Sequence, residues 1–320
     1  MRRDMFLKSM AALAVAGSFP LSARAGANLK MMIPANPGGG WDTTGRALGA
    51  ALIESKAADT VQYENKGGAA GVIGLAQFVN AAKGDPNAIM MSGAVMLGGI
   101  ITGKPQISLD RATPIARITS EYNIFVVPAD SPLKTMKDVV AQMQKDPGSV
   151  KWGGGSRGST EHICASMLAT KVGVDPKKVN YVAFRGGGEA TAAILGGNVT
   201  VGGGGISEMM EYIKAGKMRA IGVTSDKRLP GNNTPTLKEL GYDVTLGNWR
   251  AVYGAPGITA AQRATLTELV VKATKSKSWA ESLEKNDWTP ALLTGKAFDD
   301  FVDNEFASLR GIMHLAGMLS

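Results

Sequence analysis

The chain has 320 residues, among them 41 glycines, one cysteine and two histidines, and a formal net charge of +8. A lone Cys164 can form no internal disulfide, and one cysteine with two histidines is too few for a metal cluster or a Cys/His nucleophile, so a hydrophobic core must hold the molecule together. The charge surplus is modest, and no Lys/Arg cluster interleaved with aromatics points to nucleic acid.

Arg2, Arg3 and Lys8 precede the apolar run Met10 to Pro20, and Ala23-Arg24-Ala25 has the form of a signal-peptidase site. Residues 1–25 read as an export signal cleaved near Gly26, which would leave a net charge of +5 and a periplasmic mature protein. Arg2-Arg3 followed by Phe6-Leu7-Lys8 comes close to a twin-arginine signal, although Asp4-Met5 puts two residues where one is usual. The apolar run is shorter than the roughly 18 residues of a membrane span.

Beyond it, short apolar runs repeatedly end in glycine blocks. Leu29 to Ile33 precedes PGGGWD, Val61 to Tyr63 precedes NKGGAAG, and Ala88 to Met91 precedes SGAVMLGG. Val150 to Trp152 then precedes GGGSRGS, Val179 to Phe184 precedes RGGGEA, and Val199 to Val201 precedes GGGGISE. Each run has strand length and each downstream stretch has helical spacing, as in Glu208, Met209, Tyr212 and Ile213. Strands alternating with helices predict α/β layers with parallel pairing. The β-like runs Tyr122 to Pro128 and Trp249 to Pro256 each lead to a capped helix start, at Thr135 and Thr259, and predict crossings between two lobes. Lobe 1 is then 26–125 with 250–320, and lobe 2 is 126–249. The tail from Thr259 reads as mostly helical packing.

Gly40 to Ala47 has Walker spacing but lacks its lysine and hydroxyl, since Arg46 and Ala47 stand there. Gly153, Gly155 and Gly158 match a dinucleotide fingerprint, yet the next strand ends in Phe184-Arg185 rather than an acidic residue. No cofactor is expected. Glycine loops feeding helix starts present free N–H groups and the positive end of the helix dipole, which suits an anion. Five or six charge-assisted bonds, each of about 1.5–3 kcal/mol, suffice for micromolar affinity of about 8 kcal/mol. The bland alternative for any one loop is a tight turn.

PANPGGGWDTTGRAL, ENKGGAAGVIG, GGSRGSTEHI, YVAFRGGGEATAAILGGNVTVG and NWRAVYGAPG, in that order, resemble the substrate-binding proteins of tripartite tricarboxylate transporters, the TctC or Bug family. The resemblance implies a two-lobed, type II-like periplasmic-binding-protein fold with a ligand cleft between the lobes. It also implies a monomer that captures a tri- or dicarboxylate and delivers it to one large and one small integral membrane subunit. By the same resemblance the pocket takes Gly39, Gly40, Trp41, Asp42 and Thr43 from the first loop, Gly68, Ala69 and Ala70 from the second, and Ser92, Gly93 and Ala94 from the third. Gly155, Ser156, Ser159, Thr160, Arg185, Gly186, Gly187, Gly204 and Gly205 come from the other lobe. Many relatives have a small residue at Trp41 and Tyr-Lys-Gly at Phe184-Arg185-Gly186.

Some of these residues have plainer explanations. Asp42 suits a helix cap, Trp41 a core anchor, and Arg185 a solvated surface position with a bidentate carboxylate clamp as its rival. Glu161 and Glu208 read as partners of helix dipoles, and His162 and Cys164 as packing or capping residues. A secreted enzyme acting on a small anion would draw on Ser159 and His162 at i, i+3 spacing, but no G-x-S-x-G elbow is present. A binding protein that senses its ligand without a transporter is the other alternative.

Overall fold

The computed structural model describes residues 27–319, so the export signal and cleavage point expected from the sequence lie outside the described residues. In chain order the elements are β1 (Ala27–Ile33), α1 (Gly40–Glu54), β2 (Ala58–Asn65), α2 (Val72–Ala81), β3 (Ala88–Gly93), α3 (Ala94–Gly103) and β4 (Thr113–Pro128). They continue as α4 (Met136–Lys145), β5 (Lys151–Gly154), α5 (Thr160–Lys171), β6 (Asn180–Ala183), α6 (Gly187–Leu195), β7 (Val201–Gly205), α7 (Ile206–Lys214) and β8 (Met218–Val223). The last are β9 (Gly247–Gly254), α8 (Ala260–Ala273), α9 (Lys277–Lys285), β10 (Thr289–Thr294) and α10 (Gly295–Leu315).

Two parallel units carry the fold. In one, β1 lies between β2 and β3; in the other, β5 lies between β6 and β7. The antiparallel strands β4 and β9 connect them. Residues 113–122 of β4 pair with β9, and β10 pairs along the same portion, whereas residues 123–128 pair with β7 and β8. The strand ending at Ile33 and the strand leading to Phe184 therefore share one ten-stranded sheet, on a hydrogen-bonded path of eight strands from which β8 and β10 branch at β4, which a plain reading would set against two lobes. Among the described residues, however, β4 is the one named strand that pairs on both sides, and its partners change completely between Tyr122 and Asn123. The return path changes sides just before β9, where the Leu246 N–H still donates to the Thr224 carbonyl of the second side.

The hydrophobic cores follow the same division. One surrounds β1, β3, β9 and the first half of β4, with Ile33, Leu48, Met90, Trp249 and Phe298 buried in it. The second sheet packs one face on Phe125, Trp152, Leu168 and Leu237, and the other on Ile124, Ile194 and Met209.

Helix starts obey local chemistry. Thr135 accepts from the Asp138 N–H and Thr259 from the Gln262 N–H, each completed as a capping box. One expectation needs correction. Gly202 to Gly205 lie inside β7 rather than in a loop after it, because they pair with Asn123 to Val126 of β4; glycine is needed there, since a Cβ on Gly202 would strike Ile194 and one on Gly203 would come within 2.9 Å of Phe125. The tail is mostly helical, as read, and adds one strand: Thr289–Thr294 forms β10, an antiparallel partner of β4.

Candidate functional site

The loops after β1, β2, β5, β6 and β7 converge on a cavity of about 80 Å³ between the two sheets. Its walls include Gly39, Gly40, Trp41, Ala70, Gly155, Ser156, Ser159, Arg185, Gly186, Gly187, Gly204 and Gly205 from the sequence-predicted set. Asp42, Thr43, Gly68, Ala69, Ser92, Gly93, Ala94 and Thr160 do not line it. Thr43 Oγ1 donates to the Gly39 carbonyl, and Gly68, Ala69 and Ala70 form a turn with positive φ ahead of α2. Ser92 is buried beneath Met96 with its hydroxyl 3.4 Å from the sulfur, Gly93 packs on the Trp249 carbonyl, and Ala94 opens α3. Thr160 donates to Asn123 Oδ1 at 3.2 Å, one layer behind the wall. Trp41 does two things: it is 7% exposed within the core, where its ring meets Gly71, and it also borders the cavity.

The glycine blocks bring the two sides together. A Cβ on Gly39 would come within 2.9 Å of the Gly187 nitrogen, so PGGG and RGGG meet backbone to backbone. Asn36 Nδ2 donates to Glu189 Oε1 at 2.5 Å across the same seam.

Among the residues that sequence reasoning did not place in the cavity are the apolar Pro34, Ala35 and Val95, the polar Asn248, and three charged side chains, Arg250, Glu161 and Glu208. Arg250, 1% exposed, is ion-paired with Glu121, 2% exposed. Its Nη1 also donates to Thr44 Oγ1 at 2.6 Å, and its guanidinium lies over the Trp288 ring. Glu121 accepts from the Ser207 hydroxyl at 2.9 Å as well. Burial pushes Arg250 down to about 9. Gly40 makes room for this guanidinium, since a Cβ there would collide with it.

Two carboxylates face the cavity, Glu208 and Glu161. Glu208 accepts from the Gly40 N–H at 2.9 Å and from the Gly205 N–H at 3.0 Å, so one side chain spans both sheets. Glu161 accepts from the Gly155 N–H at 2.5 Å. Burial, followed by the charge of Glu161, raises Glu208 to about 7, and burial raises Glu161 too. The amides expected to face a ligand anion at these three glycines thus hold the protein's own carboxylates. The sequence did carry signals of this: a single arginine inside the otherwise apolar run Trp249 to Pro256, and glutamates in the first helical turn directly after glycine blocks.

Asp42 turns away from the cavity. Burial disfavours its charge, but hydrogen bonds from Arg46, Asn65 and the Gly38 N–H outweigh burial and hold its carboxyl below the usual range. Ser159 and His162 do not form a dyad: the Ser159 hydroxyl pairs with Tyr181 at 3.1 Å, while His162 Nδ1 accepts from the Gly158 N–H. Burial, with Arg157 nearby, lowers His162 to about 4. No group of three or more potential metal ligands occurs among the described residues, and no helix there is long and apolar enough to cross a membrane.

Two α/β units joined at one strand, with loop amides and charged side chains around the space between them, define a solute-binding protein. The chain belongs to the tripartite tricarboxylate transporter receptor family, whose model matches residues 46–318. Protein BugT of Bordetella pertussis is 25% identical over 294 residues, covering 90% of this chain and 89% of that protein. The structure of the periplasmic binding protein BugD superimposes with a TM-score of 0.79 at 22% identity, over 91% of this chain and 98% of that one. The structure of R. palustris Rpa4515 with adipate does so with a TM-score of 0.81 at 20% identity, over 94% and 99%. The fold is that of periplasmic binding proteins, and this is a TctC/Bug-type solute-binding protein rather than an enzyme.

Proposed function

We propose that the protein captures a small organic carboxylate in the cavity between its sheets, outside the cytoplasm, and hands it to the large and small integral subunits of a tripartite transporter. The observation that carries this is Glu208: its carboxylate is held by amides from both sides of the seam, so these loops have the geometry to clasp a carboxylate. Arg185, on the cavity wall and in no ion pair among the described residues, is the expected partner of the ligand's carboxylate, with Gly186, Gly187 and Ser156 beside it. The change of partners along β4 supports the division into lobe 1 (26–125 with 250–320) and lobe 2 (126–249), with the change itself falling between Tyr122 and Asn123 and β9 pairing on the first side from Gly247. The family description and the adipate-bound relative make di- and tricarboxylates the first probes.

The test is a thermal-shift panel of organic acids on ligand-free mature protein. A true ligand at 100 times its Kd adds about 2.7 kcal/mol of stability. It should be recovered unchanged after saturating one site. A ligand consumed with time, or a panel without any response, would overturn the proposal.

A further inference from the structure

Two kinds of contact tie the parallel units together around the cavity. One stays on the joining strand: Glu121, next to the change of partners in β4, accepts from the Ser207 hydroxyl at 2.9 Å, so a hinge motion about that strand moves the pair little. The other joins two helix starts directly. Glu208 of α7, in the second unit, accepts at 2.9 Å from the Gly40 N–H that opens α1 in the first. That bond must break when the units part.

The seat of the Glu208 carboxyl is built on both sides. It also accepts from the Gly205 N–H ahead of its own helix at 3.0 Å, and a Cβ on Gly187, the first residue of α6, would collide with its Oε1. The start of α1 has no side chain of its own for the Gly40 donor, because the N-cap is Gly39 and Asp42 turns back to the Gly38 N–H. While the units are apart, water serves that donor. Once they meet, water is excluded and an unpaired N–H is costly, so the donor needs an acceptor from the protein.

We propose that Glu208 is the latch of the cleft: its side chain supplies the acceptor that Gly40 needs when the two units close, and so holds them shut whether or not a solute lies between them. Each release of a solute then breaks the Glu208–Gly40 bond, and each closure remakes it. The latch goes beyond the carboxylate reading and does not depend on which solute is captured.

The experiment is a distance measurement by electron paramagnetic resonance on the ligand-free mature protein, with spin labels at Lys56→Cys and Lys214→Cys. These exposed positions lie at the far ends of α1 and α7, and the natural Cys164 is buried. The pH is set at 6, below the value of about 7 to which burial raises the Glu208 carboxyl, so that Gln is a fair mimic of the protonated side chain. The parent protein should show mainly the short distance of the shut form. Glu208→Ala should shift the ratio of shut to open molecules at least about tenfold toward open, the cost of stranding one buried donor. Glu208→Asp keeps an acid that can turn back to the Gly205 N–H, as Asp42 does at Gly38, but it is one methylene too short for Gly40 and should open the cleft as well. Glu208→Gln keeps an acceptor at full reach and should stay shut. Asn36→Ala removes the exposed bond to Glu189 across the same seam and should change the ratio within about twofold. A mainly open parent, a shut Glu208→Asp variant, an open Glu208→Gln variant, or an Asn36→Ala variant as open as Glu208→Ala would each overturn the latch. None of these outcomes involves a solute, so the carboxylate reading stands or falls separately.

Discussion

Two helix starts in this protein have nearly the same sequence design and opposite electrostatics. PGGGWD opens α1 and GGGGISE opens α7, and each places an acid at the third helical residue, Asp42 and Glu208. Both acids reach back to a glycine N–H of their own turn. Asp42 also has Arg46 one turn on and Asn65 beside it, and its carboxyl is held below the ordinary range. Glu208 has no cation, looks toward Glu161, and is pushed up to about 7. Position in a helix's first turn therefore does not determine an acid's charge state; what faces it across the fold does.

The comparison is broken most severely at Arg250, which lines the cavity and partners the buried Glu121. Arg250→Met should cost about 3–5 kcal/mol, because it strands a buried carboxylate. Adding Glu121→Gln should recover much of that loss. Chemical denaturation of both variants checks this, and a single-variant loss below about 1 kcal/mol would mean that the pair does not hold the cavity floor.

Next in size is a pH effect. The Glu208 carboxyl keeps its proton up to about 7 in the fold, against an ordinary value of 4.5. The folded state therefore binds the extra proton between those values, and stability falls as pH rises through that window. The full effect is on the order of 3 kcal/mol. Glu208→Gln should flatten the slope of Tm against pH there, and an unchanged slope would assign it to Glu161 or another group. Asp42 works in the opposite sense: its contribution is present above the ordinary value of 3.8 and is lost as pH falls through its depressed value.

Asp42→Asn should cost about 1 kcal/mol, the scale of a helix-start interaction, and should leave ligand affinity unchanged. A large loss of affinity in calorimetry would instead give Asp42 a direct role. Arg185→Ala is the smallest in stability, within about 0.5 kcal/mol for an exposed side chain away from any core. It should nevertheless weaken carboxylate binding about tenfold, and equal affinities would mark Arg185 as a solvated surface residue.

Much of the fold was legible along the chain. Strand-length apolar runs ending in glycine located β1, β2, β3, β5 and β6, and Thr135 and Thr259 announced their helices, because period, capping and turn chemistry act over a few neighbouring residues. The family motifs likewise pointed to the loops that meet at the cavity. Where a segment's fate depends on a distant packing partner, local pattern was not enough. Gly202 to Gly205 became strand because Asn123 to Val126 of β4 pair with them, and β10 formed because β4 offered it an edge. The charged interior was decided in the same way. Glu161, Glu208, Glu121 and Arg250 come from four separate elements, and nothing in the spacing of residues 121, 161, 208 and 250 says that they meet. Hydrophobic period and turn preference are properties of adjacent residues, readable in sequence order. Charge pairing and desolvation depend on three-dimensional distance, and only the folded chain sets those distances.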